Sequence, residues 1–311
     1  MSYYSKKEYV DIVVVYALSV LFIIVTTLLH SPVSPMVNKK NKDTTRPLSY
    51  SSSTPLFAKA AFSDVRIEGK AYIVYDLLAQ DVIASSNEKE ILPLASITKV
   101  MTAVSATLHK PKDDKVTVRK NSIEDSYDLG LKNEQVWSLD ELLKYTLVFS
   151  SNDGAEIVAD SFGSKAIFIT QMNSDAKNLG LNLMFTDPAG RDIDGSIGGK
   201  GTVLDVAKLF GIARKRIPDI LDATTKKRQT MIASSGKVSG IPNTNQHIED
   251  LFGAEASKTG YTDLAGGNLG VVVDVSVGRP VVIVVLGSTK EGRFRDMSLL
   301  YSTLNESLIS K

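Results

Sequence analysis

The stretch Leu94-Ala95-Ser96-Ile97-Thr98-Lys99-Val100-Met101-Thr102-Ala103 sets a serine and a lysine three residues apart at the head of an apolar run. Val100, Met101, Ala103, Val104 and Leu108 recur at helical spacing, so Ser96 and Lys99 are predicted to share one face of a helix that opens just after Pro93. A helix amino terminus favours developing negative charge, through its dipole and its unpaired N–H groups. Two more short motifs follow in order, Ser150-Ser151-Asn152 and Lys258-Thr259-Gly260. Each alone is weak evidence, because S-x-x-K and S-x-N fix only two residues apiece. The ordered trio is far rarer. A serine hydroxyl is a weak nucleophile that needs a base within hydrogen-bond reach. Lys99 can be that base if it is neutral, and burial and a second cation, here Lys258, both lower a lysine pKa from its usual value of about 10.4.

Around these motifs the pattern is mixed α and β. Ala71-Tyr72-Ile73-Val74-Tyr75-Asp76 and Asp81-Val82-Ile83-Ala84 read as a hairpin. Ser138 with Glu141 forms a capping-box pattern opening a helix over 139–149, and a second helix is predicted over 155–161, which leaves S-x-N in a tight connector. Valine-rich runs over 270–277 and 281–286, joined at Gly278-Arg279-Pro280, read as an antiparallel pair, preceded by a shorter, more polar strand over 255–261. Gly260 there would let a substrate backbone come close. Met297, Leu300, Leu304 and Leu308 mark one face of a closing helix. The expected fold class is α/β of the α+β type, an antiparallel sheet flanked by helices, with a helical insertion over about 121–242.

The three motifs in this order resemble the set found in penicillin-binding proteins and class A β-lactamases. The longer runs Phe149-Ser150-Ser151-Asn152-Asp153 and Lys258-Thr259-Gly260-Tyr261-Thr262-Asp263-Leu264-Ala265-Gly266-Gly267 resemble, more narrowly, the serine-type D-alanyl-D-alanine carboxypeptidases, which are low-molecular-mass penicillin-binding proteins. The likeness extends over roughly 62–300. It implies Ser96 as acyl-forming nucleophile, Lys99 as its general base, Ser150 as proton relay to the leaving amine and Asn152 as holder of the substrate amide. It further implies an oxyanion hole from the N–H groups of Ser96 and Tyr261, where a lost donor costs about 2.7–4 kcal/mol in acyl-transfer enzymes. Lys258, Thr259 and Arg293 would receive the terminal carboxylate of a D-Ala-D-Ala stem peptide of peptidoglycan, or that of a β-lactam inhibitor. Residues 185–190 and 202–205 also resemble family segments, with scaffold roles. Related carboxypeptidases often carry an added β-rich domain after the catalytic one, which this chain is expected to lack. The E-x-x-L-N element that positions the deacylating water in class A β-lactamases does not occur between Asn152 and Lys258. A penicilloyl adduct on Ser96 should therefore persist.

With 311 residues, 43% of them hydrophobic, the chain can bury a sizeable core, and a net charge of +1 gives no push toward nucleic acid. It has no cysteine, and His30, His109 and His247 are scattered, so no metal or other cofactor is expected. Residues 12–29 form an uncharged 18-residue run, read as an uncleaved membrane anchor. The expected organisation is a cytoplasmic tail over 1–11, a transmembrane anchor over 12–29, a flexible tether over 30–60 and a catalytic domain over 61–311. Counting flanking lysine and arginine would place the domain in the cytoplasm. The extracytoplasmic substrate implied by the resemblance overrides that count. The expected activity is carboxypeptidase, with DD-endopeptidase action at the same site, or a catalytically silent wall-binding homologue, as alternatives.

Overall fold

Alternate residues of the central strands belong to two different apolar clusters, which makes the middle of this molecule a sheet buried on both faces. The computed structural model describes residues 57–119 and 131–308. In chain order the strands are β1 (Ala71–Asp76), β2 (Asp81–Ser86), β3 (Leu92–Pro93), β4 (Lys115–Thr117), β5 (Val136–Ser138), β6 (Met184–Phe185), β7 (Gly199–Gly201), β8 (Arg228–Ala233), β9 (Gly236–Pro242), β10 (Ala254–Thr262), β11 (Gly266–Asp274) and β12 (Pro280–Ser288). The α-helices are α1 (Thr98–His109), α2 (Leu139–Val148), α3 (Asn152–Asp160), α4 (Lys165–Asn178), α5 (Val203–Arg216), α6 (Pro218–Asp222) and α7 (Gly292–Glu306). Five strands form the main sheet in the order β10-β11-β12-β1-β2, and each neighbouring pair is antiparallel. Ile73, Tyr75, Val272, Val282 and Val284 face the cluster shared with helices α1, α2 and α5. Val74, Val271, Val273, Val281, Ile283 and Val285 face the other, covered by Met297, Leu300 and Leu304 of α7. Burial on both faces explains why these strands read as nearly continuous valine.

The hairpin, the valine-rich pair and the closing helix lie where the pattern put them. Leu308 does not continue the helix, which ends at Glu306; it forms a bridge with Phe57 instead. The strand carrying Lys258 is nine residues long, as long as β11 and β12, and not shorter. The described part of the predicted helical insertion carries five α-helices but also β5, β8 and β9, which join β4 in a four-stranded sheet, and β6 and β7, which join β3 in a short one. The hairpin of β8 and β9 escapes a hydrophobic reading because only Met231, Ala233 and Ile241 on it are buried. Half of the capping box forms: Ser138 Oγ accepts from the Glu141 N–H at 3.2 Å, while the Glu141 carboxylate turns to Lys144 (3.1 Å) and the Ile232 N–H (2.7 Å).

The domain also starts earlier than residue 61. Phe57 and Phe62 are each buried to 5% exposure in the cluster under α7, and the Ala58 N–H donates to the Ser307 carbonyl at 2.8 Å. A phenylalanine in a run of Ser, Thr and Pro reads as tether, yet here it is core. The segments expected as tail, anchor and the first part of the tether, 1–56, lie outside the described residues, as does the start of the insertion, 120–130. No helix among the described residues is long and apolar enough to cross a membrane. A chain beginning at Thr54 should fold with full stability, whereas one beginning at Ser63 loses two buried rings and should be less stable by about 3–6 kcal/mol. Chemical denaturation of both chains measures this, and equal stabilities would leave Phe57 and Phe62 without a part in the core.

Candidate active site

Regular α-helix begins at Thr98, and Ser96 sits in a 3-10 turn, Ala95–Ile97, that leads into it. The turn is tight enough to hold Ala95 at φ +47, a conformation non-glycine residues adopt sparingly. Two glycines make room for it. A Cβ on Gly190 would stand 2.1 Å from the Ala95 carbonyl oxygen. One on Gly260 would stand 2.9 Å from the Leu94 oxygen and 3.2 Å from the Ser96 nitrogen. Gly260 was expected to admit a substrate backbone. What it admits in this structure is the turn that holds Ser96, and this close packing brings β10, the edge strand of the main sheet, beside that serine.

The predicted pair meets. Lys99, with no exposed surface, donates to Ser96 Oγ at 2.8 Å, to Asn152 Oδ1 at 2.9 Å and to the Ala189 carbonyl at 2.9 Å. Asn152 is the first residue of α3 rather than part of a longer connector, because Ser151 caps that helix by accepting from the Gly154 N–H at 2.6 Å. Ser150 makes the turn between the two helices at φ +62, and its hydroxyl receives the Lys258 ammonium at 2.8 Å. The five residues thus form two bonded sets, Ser96-Lys99-Asn152 and Ser150-Lys258. Ser96, Ser150, Asn152 and Tyr261 line one cleft of about 550 Å³, walled by Gly190, Arg191 and Asp192 on one side and by Thr262, Asp263 and Leu264 on the other.

The remaining predicted residues sit close by with their own partners. Thr259 Oγ1 donates to Thr244 Oγ1 at 2.6 Å, and Tyr261 is 43% exposed. Arg293, on the first turn of α7, donates to the Gly260 carbonyl at 2.6 Å, which lays its guanidinium along β10. Burial pulls its pKa downward, partly opposed by Glu291 and Tyr261. For Lys258, burial and then the neighbouring cations Lys99 and Arg293 hold the ammonium well below its ordinary pKa. A site this rich in buried positive charge favours an incoming anion. Sequence reading did not single out Arg191 or Asp192, and it gave Ala189 only a scaffold role within 185–190; the signal available was the Asp187-Pro188-Ala189-Gly190 run, a turn pattern whose Gly190 takes φ +76. Among the described residues no cluster of His, Asp or Glu is arranged to hold a metal ion.

The family profile described as D-alanyl-D-alanine carboxypeptidase, peptidase S11, matches residues 58–290. Among curated relatives, the D-alanyl-D-alanine endopeptidase of Escherichia coli K12 is 32% identical over 253 residues, covering 78% of this chain and 79% of that protein. The D-alanyl-D-alanine carboxypeptidase DacB2 of Mycobacterium tuberculosis is 28% identical over 72% of this chain and 76% of its own length. Penicillin-binding protein D2 of Listeria monocytogenes, solved in its ampicillin-bound form, superposes with a TM-score of 0.67 at 28% identity, covering 78% of this chain and 99% of that one. The chain belongs to the D-alanyl-D-alanine carboxypeptidase family of serine peptidases, within the low-molecular-mass penicillin-binding proteins.

The depressed Lys258 pKa gives a pH test. A bound carboxylate favours the charged ammonium, so affinity is complete below the free-protein pKa and falls about tenfold per pH unit above it. Titrating a β-lactam into Ser96→Ala, which removes the hydroxyl that would be acylated, should show that alkaline weakening. Lys258→Arg, charged throughout, should remove it. A flat profile in the Lys258 protein would exclude its proton from carboxylate capture.

Proposed function

We propose that this protein is a serine DD-peptidase that cleaves the D-Ala-D-Ala end of peptidoglycan stem peptides through an ester on Ser96. The observation that carries the reading is the Lys99 amine, held at 2.8 Å from Ser96 Oγ and 2.9 Å from Asn152 Oδ1. In the first half-reaction Ser96 Oγ attacks the penultimate D-Ala carbonyl while Lys99 takes the hydroxyl proton. The N–H groups of Ser96 and Tyr261 hold the oxyanion. As the C–N bond breaks, Ser150, fed by Lys258, hands a proton to the departing D-alanine amine. Water then hydrolyses the ester and restores Ser96. Asn152 holds the substrate amide, the stem peptide lies along the edge of β10, and Lys258, Thr259 and Arg293 receive its carboxylate. β-Lactams acylate the same serine, in keeping with the ampicillin-bound form of the Listeria relative.

A second reading, hydrolysis of D-Ala cross-links, is favoured by the 32% identity to the Escherichia coli endopeptidase. Both reactions break a D-Ala carbonyl bond at one nucleophile. The uncharged run over 12–29 supports a single-pass anchor that keeps the domain outside the cytoplasmic membrane, next to its polymer. Incubation of the protein with defined monomeric and dimeric muropeptides separates the activities: released D-alanine marks the carboxypeptidase, split dimers mark the endopeptidase, and neither product would favour the silent wall-binding homologue. The base is tested by Lys99→Arg. Arginine keeps the charge but stays protonated, so β-lactam acylation followed by stopped-flow fluorescence should slow by about 10²–10⁴-fold. Near-normal acylation would remove Lys99 from the role.

A further inference from the structure

A lysine amine about to accept a proton has two N–H bonds and one lone pair. Lys99 has Ser96 Oγ, Asn152 Oδ1 and the Ala189 carbonyl oxygen within 2.9 Å. If Asn152 and Ala189 take the two N–H bonds, the lone pair is left pointing at the serine hydroxyl. The aim of the base therefore depends on a backbone carbonyl in a buried turn beside the cleft, and that turn has an organiser. Asp187 is fully buried, and its Oδ1 accepts from the Ala189 N–H at 2.9 Å and the Arg191 N–H at 3.0 Å. Its Oδ2 meets Lys165 at 2.7 Å and the Arg191 guanidinium at 3.1 Å, and both cations also meet Glu156. Thr102 Oγ1 donates to the Pro188 carbonyl at 2.6 Å and ties the turn to α1 one turn of helix beyond Lys99. Burial pushes the Asp187 carboxyl upward, but the Lys165 and Arg191 contacts outweigh it and hold the pKa below the usual carboxylate value. It is ionised at neutral pH.

We infer that Asp187 is a positioning residue for the base, acting through the Ala189 carbonyl to aim the Lys99 amine at Ser96. The inference rests on the DD-peptidase reading. It goes beyond a scaffold role because the predicted defect lies in proton transfer and leaves ligand capture, on the Lys258 side of the cleft, intact. In Asp187→Ala the turn loses its two N–H anchors, and acylation at saturating β-lactam should fall about 10–100-fold with the dissociation constant of the preceding complex unchanged. Asp187→Asn keeps an oxygen that can accept from both N–H groups but removes the charge. Its acylation plateau should stay within about threefold of the wild type. Loss of the negative charge disfavours the Lys99 ammonium, already faced by Lys258, so the pH midpoint of acylation should move to lower pH.

The experiment is stopped-flow acylation by a β-lactam across pH, with melting temperatures, for the wild type and both variants. A selective loss of acylation rate in Asp187→Ala, rescued in Asp187→Asn with a displaced midpoint, supports the inference. Parallel loss of capture and rate in Asp187→Ala, or a wild-type rate and profile in either folded variant, overturns it and leaves Asp187 as scaffold. If the alanine variant does not fold, the midpoint in the asparagine variant decides by itself. Failure of the wild type to form any adduct would instead remove the DD-peptidase reading, and this inference with it.

Discussion

A buried lysine amine held by a hydroxyl, an amide oxygen and a backbone carbonyl is the contact on which the rest of this structure depends. Taking an ammonium out of water is costly unless its protons are all accepted, and here three elements far apart in sequence supply the acceptors: the turn before α1, the start of α3 and the 187–191 turn. Those elements must meet within a few tenths of an ångström for the lysine to be buried at all. The same requirement makes the site chemically useful. A well-hydrated lysine stays charged, while one enclosed beside a second cation is brought nearer the neutral form that can accept a proton.

The sheet supplies the second cation from a rigid support. β10 is an edge strand, so its outer side stays open to the cleft while its inner side is locked to β11 along its length. Gly260 lets that strand press against the Leu94–Ser96 backbone, and Arg293 reaches from α7 to the Gly260 carbonyl on the same strand. Lys258 is carried into the site by this packing. Its depressed pKa follows from burial first and from Lys99 and Arg293 next, so the free site is short of one anion. In the function proposed above a carboxylate-ended ligand completes it, which would join substrate recognition to the electrostatics of the base.

What sequence disclosed was the chemistry carried by side chains at fixed short spacing. Ser96 and Lys99 meet because residues three apart share a face in the 3-10 turn that runs into α1, and the valine runs became strands because nothing else buries them on both faces. The partners of Lys99 were legible only by half. Asn152 announced itself in a motif, whereas the Ala189 carbonyl belongs to a backbone, and backbone oxygens carry no residue identity. Asp187 had the Asp-Pro turn pattern and a place in a family-like segment read as scaffold, neither of which discloses its four contacts. The β8-β9 hairpin was missed because its exposed residues blur the alternation, and Phe57 because one aromatic ring in a polar run looks like chance until Leu308 and α7 are seen to cover it.

The most direct test of the account is the site of covalent capture. The full chain, treated with penicillin and digested, should give a penicilloyl mass increment on the peptide that contains Ser96, and the adduct should survive for the duration of the digestion because the E-x-x-L-N element of class A β-lactamases does not occur between Asn152 and Lys258. An increment on a peptide containing Ser150 and lacking Ser96, or no increment at all, would contradict the assignment of Ser96 as nucleophile and Lys99 as its base.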